Sequence, residues 1–313
     1  MGLFGGGRRT RLDDGPMDEA LAVLTVTQAA RLRSLMRDSL ARNGLEVTVH
    51  ADHMVDDADR EFGLDSLARS LAGGAVPARR WRAEVETHVR RLLAVADGPD
   101  EFDAPAEQLL ANTYLRLYDR AVTPVDADTG REVVTGVVEL LALDLPDAVA
   151  VYPAEEVDRL GEVALRAAGW RNLRRVQADE RVEIDGVQVL MGESMHLAST
   201  VLLLPEVVLR TTGEADLSNG VLVAMPFRHQ LLYHVPRDGR VTSALQTITR
   251  LAVSGYSDGV GPLCPHVFWW RGGEFLQLTE HNEDGTVALY LEGEFADLVA
   301  RLTGDGGTEP NGY

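Results

Sequence analysis

The sequence predicts an α+β fold: a helical N-terminal third, then a mostly antiparallel sheet region with packed helices. Three observations lead there. Apolar residues recur at helical spacing as far as about Val95, strand-like runs dominate afterwards, and those strands mostly follow one another directly.

In order, Met1 to about Pro16 reads as a Gly- and charge-rich flexible tail, as does Gly304 to Tyr313. Thr25-Val-Thr-Gln28 fits a capping box, and Ala29, Leu32, Leu35, Met36 and Leu40 share one face of the helix it starts. Asn43-Gly44 supplies a left-handed stop, and Leu45 to His50 alternates as a short strand. A second helix is expected near Leu64 to Leu71. A third is expected from Pro77 to Val95, with Trp81, Val85, Val89 and Leu92 as its buried stripe. The acidic Gly/Pro stretch from Asp97 to Pro105 separates a helical subdomain, 17–97, from a mixed-sheet subdomain, 105–303.

In the second part, Thr113 to Tyr118 and Val133 to Leu143 read as strands. Ala148 to Tyr152 follows, and then one helix from about Glu155 to Arg175. Asp185-Gly186 is a type I′ turn signal that sets Val182 opposite Val189 and Ile184 opposite Val187. The near-continuous apolar runs Leu197 to Leu204 and Val221 to Phe227 predict central strands. A helix over Thr242 to Val253, two further hairpin arms and a last helix with Phe295, Leu298, Val299 and Leu302 on one stripe complete the chain.

Composition narrows the function classes. The 313 residues carry 49 acidic and 30 basic side chains, a formal charge of −19, which repels phosphate backbones and anionic membranes. No window reaches eighteen apolar residues, and the N-terminus has no apolar stretch of signal-peptide length, so a cytoplasmic protein without membrane spans is expected. The single cysteine, Cys264, allows no internal disulfide, which fits the same compartment. Every basic residue is arginine, so Schiff-base, P-loop and general-base lysine chemistry is excluded.

Leu141-Ala-Leu-Asp-Leu-Pro-Asp-Ala-Val-Ala-Val-Tyr-Pro153, Gly169-Trp-Arg-Asn-Leu173, Ala198-Ser-Thr-Val-Leu-Leu-Leu204 and Val223-Ala-Met-Pro-Phe-Arg-His-Gln-Leu-Leu-Tyr233 occur in that order after the Trp81 to Leu93 helix. Together they resemble the YtpQ-like family of bacterial cytosolic proteins, over roughly residues 20 to 303 in element order. The resemblance implies a fold and no catalytic residue, since no function is assigned to that family. The family usually has Arg-Asp where this chain has Arg228-His229.

No chemical motif survives its context. Gly255-Tyr-Ser-Asp-Gly259 matches G-x-S-x-G, but a helix precedes it and Val260-Gly-Pro follows, so Ser257 is read as part of a Gly-rich turn. His50 and His53, three apart, fall on opposite faces of a strand, and the acidic stretch around them reads as a solvated loop. Glu193 and His196 share that odd spacing, and His88 reads as a core-edge histidine. Asp126-Ala-Asp-Thr-Gly130 lacks ligands of a calcium loop. With neither G-x-G-x-x-G nor a Walker loop, no metal and no cofactor is expected.

One constellation suggests recognition. A two-residue turn at Gly272-Gly273 puts Trp269 opposite Leu276 and Trp270 opposite Phe275, and a further turn at Asn282 to Gly285 puts Leu278 opposite Leu289. Trp269, Leu276, Leu278, Leu289 and Leu291 then form a core face. His266, Phe268, Trp270, Phe275, Gln277 and Tyr290 form a mixed face of aromatics and hydrogen-bonding groups. The first reading is therefore a non-enzymatic adaptor that binds a protein or peptide there, with Arg228 as a further binding residue. The alternative is a small-molecule enzyme assembled from scattered groups such as Asp144, Arg228 and His229.

Overall fold

The computed structural model describes residues 15–304, apart from residue 59 and residues 73–75, 97–100, 123–129, 146–148 and 283–285. The expected tails, the start of the Asp97 loop, most of Asp126–Gly130 and the Asn282–Gly285 turn lie largely outside the described residues. The fold is α+β, helix first and then antiparallel sheets with packed helices. It divides into two compact units between Glu101 and Phe102.

In the first unit, α1 (Val26–Arg42) opens on a capping box: Gln28 N–H donates to Thr25 Oγ1 at 3.3 Å, and Thr25 N–H donates to Gln28 Oε1 at 2.9 Å. A three-stranded antiparallel sheet follows in the order β1 (Val47–Val49), β2 (His53–Asp56), β3 (Glu61–Gly63), and then α2 (Asp65–Leu71) and α3 (Trp81–Ala96). Leu32, Met36, Met54, Phe62, Leu67, Trp81 and Val85 make its core. The solvated loop expected around His53 is in part a strand, because Met54 and Asp56 turn inward while Asp56 caps the following turn through Ala58 N–H and Arg60 N–H. His50 lies outside β1, and its ring stacks on His53 at 4.4 Å instead of pointing away.

The second unit begins with α4 (Ala106–Ala111) and β4 (Thr113–Asp119). The run read as one strand over Val133 to Leu143 is two, β5 (Arg131–Val134) and β6 (Val137–Asp144), reversed at Gly136 with φ +79°. With β7 (Val149–Val151) these make an antiparallel sheet in the order β4-β6-β5, with β7 also on β6. The expected long helix is likewise two, α5 (Ala154–Leu160) and α6 (Glu162–Leu173), broken at Gly161 with φ +85°. Arg166 on α6 reaches the buried carboxylate of Glu139 on β6 at 2.5 Å.

The remaining strands are β8 (Glu180–Ile184), β9 (Val187–Met191), β10 (Val221–Ala224), β11 (Gln230–His234), β12 (Phe268–Arg271) and β13 (Glu274–Gln277), in an antiparallel sheet of order β13-β12-β10-β11-β9-β8. Val182 stands opposite Val189 and Trp269 opposite Leu276, the two hairpin registers the turns dictated. Leu197 to Leu204 is not a strand. It forms a 3-10 helix (Ala198–Leu203) with residues buried on every side, running into α7 (Leu204–Thr212), where Pro205 suits a first turn.

One face of this sheet joins the main core with Leu115, Leu141, Leu204 and Val207. The other packs through Val189, Leu222, Leu232 and Trp269 on α8 (Val241–Asp258) and α9 (Gly293–Thr303). β14 (Thr279–His281) and β15 (Val287–Leu289) pair separately. Ser257 lies in the last turn of α8, since that helix runs past the glycine-rich turn expected there. Among the described residues no helix is long and apolar enough to cross a membrane.

Acid should weaken this fold early. Burial holds His88, His196, His229, His234 and His266 below the ordinary imidazole value. The unfolded chain therefore binds more protons as pH falls through about 6.5, and their contribution, full above that pH, is lost below it. The denaturation midpoint should drop between neutral and mildly acidic buffer, before carboxylates titrate, and less so in His234→Gln. An unchanged midpoint contradicts this.

Candidate functional site

The β12–β13 hairpin carries most of the residues singled out in the sequence. Gly272 and Gly273 adopt φ +60° and +98°, which lets the chain reverse in two residues and fixes the pleat on both sides. Trp269 faces α9, with its ring 5.4 Å from that of Phe295 and its Nε1 donating to the Asn219 carbonyl at 2.9 Å.

The opposite parity is not an open surface. Phe268 is 1% exposed and belongs to the main core, and Trp270 and Phe275 pack against that core half-buried. The cover comes from the same unit, because this face shares its core with Leu115, Val134 and Leu204. His266 is half-buried, its ring 5.1 Å from that of His281, and its Nδ1 is buried with no partner among the described residues. Gln277 turns its amide onto the Thr279 carbonyl at 2.8 Å.

The expected core face is also incomplete. Trp269 and Leu278 are buried, whereas Leu276, Leu289 and Leu291 are each exposed by more than two-fifths. For Leu289 and Leu291 the cause is a one-residue difference in register. Asn282 N–H donates to the Thr286 carbonyl, so Leu289 stands opposite Thr279 instead of Leu278, and the slip moves the following side chains to other neighbours.

What remains open is a groove of about 730 Å³ along β13. Its floor is the strand itself, Glu274 to Gln277, and its far wall runs from Tyr290 to Glu294. Tyr290 is exposed, and its hydroxyl donates to the Glu280 carboxylate. β13 ends its sheet, and the two-residue turn makes Arg271–Glu274 and Trp269–Leu276 the directly bonded pairs. The backbone N–H and C=O of Phe275 and Gln277 therefore point to the outer edge, which no strand pairs among the described residues. The groove's charge is acidic: Arg271 pairs with Glu294 at 2.6 Å, and no cation pairs with Glu274 or Glu292 among the described residues.

Arg228 does not line this groove. It sits with His229 in the turn between β10 and β11, where its Nε donates to His229 Nε2 at 2.9 Å. Asp144, the third group of the alternative reading, instead meets His196 Nε2 at 3.1 Å, and His196 stacks on Tyr114 at 4.1 Å. Arg116 on β4 was missed in the sequence. Its signal is the alternation Tyr114, Arg116, Tyr118 between leucines, which puts a guanidinium on a strand face with two phenols.

Comparison of the chain with family models, with curated proteins and with solved structures gave no match.

Proposed function

We propose that this is a non-enzymatic binding protein that takes an extended segment of a partner onto the free edge of β13. The observation that carries the reading is the combination of an unpaired strand edge with a groove alongside it. Backbone groups there can hydrogen-bond an added strand, and the groove can accept alternate side chains of that strand. Edge strands are usually blunted by charge or proline, yet β13 presents Leu276 at 47% exposure, beside Tyr290 at 41%.

The glutamates select the occupant: an extended peptide that alternates apolar residues with arginine or lysine. We infer a cytoplasmic setting, which suits a lone cysteine, and no nucleic-acid partner, which the charge of −19 disfavours. The similarity to YtpQ-like proteins is proposed on the same footing, on element order alone.

The test is fluorescence anisotropy with an octapeptide alternating valine and arginine, beside its valine–glutamate counterpart. The arginine peptide should bind and the glutamate peptide should not. Gln277→Pro removes an outward N–H without touching the ladder, so it should weaken binding about tenfold with stability kept. Equal binding of both peptides, or unchanged binding by Gln277→Pro, refutes the reading.

A further inference from the structure

Away from the groove, the second unit brings a buried arginine, Arg116, close to a half-buried one, Arg228, with no acid paired to either among the described residues. Arg116 projects from β4, the end strand of its sheet, and is 8% exposed. Its guanidinium lies over the Tyr118 ring at 4.8 Å, its Nε is buried without a partner, and no carboxylate pairs with it among the described residues. The Tyr118 hydroxyl is also buried, with no partner among the described residues.

Arg228 comes to the same neighbourhood from another part of the chain: Leu117, next to Arg116, donates its N–H to Ser199 Oγ at 3.0 Å, and the adjoining Ala198 donates its N–H to the Arg228 carbonyl at 3.1 Å. The Arg228 backbone N–H donates to the Gly261 carbonyl at 3.0 Å, which ties the turn to a second neighbouring segment. Gly261 is needed there: a Cβ would come within 2.8 Å of Arg228 Cδ. Burial first, then the charge of Arg116, lowers the Arg228 pKa to about 10, so the two guanidiniums feel each other.

The nearby histidine does not relieve this. His229 Nδ1 lies 3.1 Å from the Gly192 carbonyl, so that nitrogen donates and Nε2 keeps its lone pair for Arg228 Nε–H. The ring is thus neutral, and burial and the Arg228 charge hold it so. Asp144 is engaged by His196. The remaining N–H groups of both guanidiniums have no protein acceptor among the described residues.

Like charges held together in a poorly hydrated place are unfavourable unless an anion joins them. Forked guanidiniums match the oxygens of phosphate in pairs, and a phosphate monoester carries close to two negative charges at neutral pH, which balances two arginines. We propose that Arg116 and Arg228, with the Tyr118 hydroxyl, form a binding site for a phosphate monoester group of a small molecule. Arg228, His229 and Tyr118 are only partly buried, which leaves the pair reachable from solvent. The site is independent of the β13 groove and does not need a peptide partner.

The experiment compares inorganic phosphate with succinate, a dicarboxylate of similar charge, in chloride buffer on the whole chain. Unfolding midpoints and calorimetric titration are read for wild type, Arg116→Met and Arg228→Gln. Phosphate should bind and raise the wild-type midpoint, and either substitution should weaken binding about tenfold or more. In phosphate-free buffer Arg116→Met should be no less stable than wild type, because it removes one of two repelling charges and no hydrogen bond. That sign separates a ligand site from a structural arginine. No response of wild type to phosphate, a response to succinate alone, or phosphate binding retained in both variants overturns the proposal.

Discussion

Trp269→Ala should lower stability by about 3–5 kcal/mol, the usual range for deleting a buried large aromatic. Three contacts make the site unforgiving. The indole is 5% exposed, its Nε1 donates to Asn219, and its ring meets Phe295 on α9 while Arg271 lies 5.5 Å above it. The neighbouring backbone cannot collapse to fill the void, because Gly220 already approaches so closely that a Cβ there would lie 2.3 Å from Trp269 Nε1. Urea denaturation followed by circular dichroism measures the loss. A change under about 1 kcal/mol, the range of an exposed position, would show that Trp269 does not hold α9 to the sheet.

Arg166→Met should be comparably damaging for an electrostatic reason. Glu139 is 1% exposed on β6, and Arg166 is the cation that meets it. Removing the arginine strands a carboxylate in the interior, which typically costs about 3–5 kcal/mol. Replacing both partners, Glu139→Leu with Arg166→Met, removes the charge together with its counter-charge and should recover most of that loss. A double variant as unstable as the single one shows that packing, not the stranded charge, is responsible. Arg166 also meets Glu162 at 2.8 Å on the helix surface, but that exposed pair is worth only a few tenths of a kcal/mol.

Features set by neighbours in sequence were legible from the sequence. Asp185-Gly186 and Gly272-Gly273 specify their turns, and a turn fixes the register of both arms, so Val182–Val189 and Trp269–Leu276 follow without tertiary information. The Thr25 capping box is equally local. Leu197 to Leu204 was misread because burial on all sides erases periodicity, and a continuous apolar run fits a buried strand or a buried helix alike. The recognition face was misplaced for a related reason. Parity tells which residues share a side of β12 and β13, but not which side the rest of the chain covers, and here both sides are packed. Arg116 lies on β4 and Arg228 in the turn between β10 and β11 of another sheet, and only the fold brings them together.

The strand order β13-β12-β10-β11-β9-β8 has a consequence for synthesis. Strands β8 to β11 can pair as soon as they leave the ribosome, but β12 and β13 arrive only after α8. Until then β10, Val-Leu-Val-Ala, is itself the outermost strand, wholly apolar and unprotected. A nascent chain halted after α8 therefore carries a sticky edge that the finished protein hides, and prematurely terminated chains should be the species that clump or recruit chaperones.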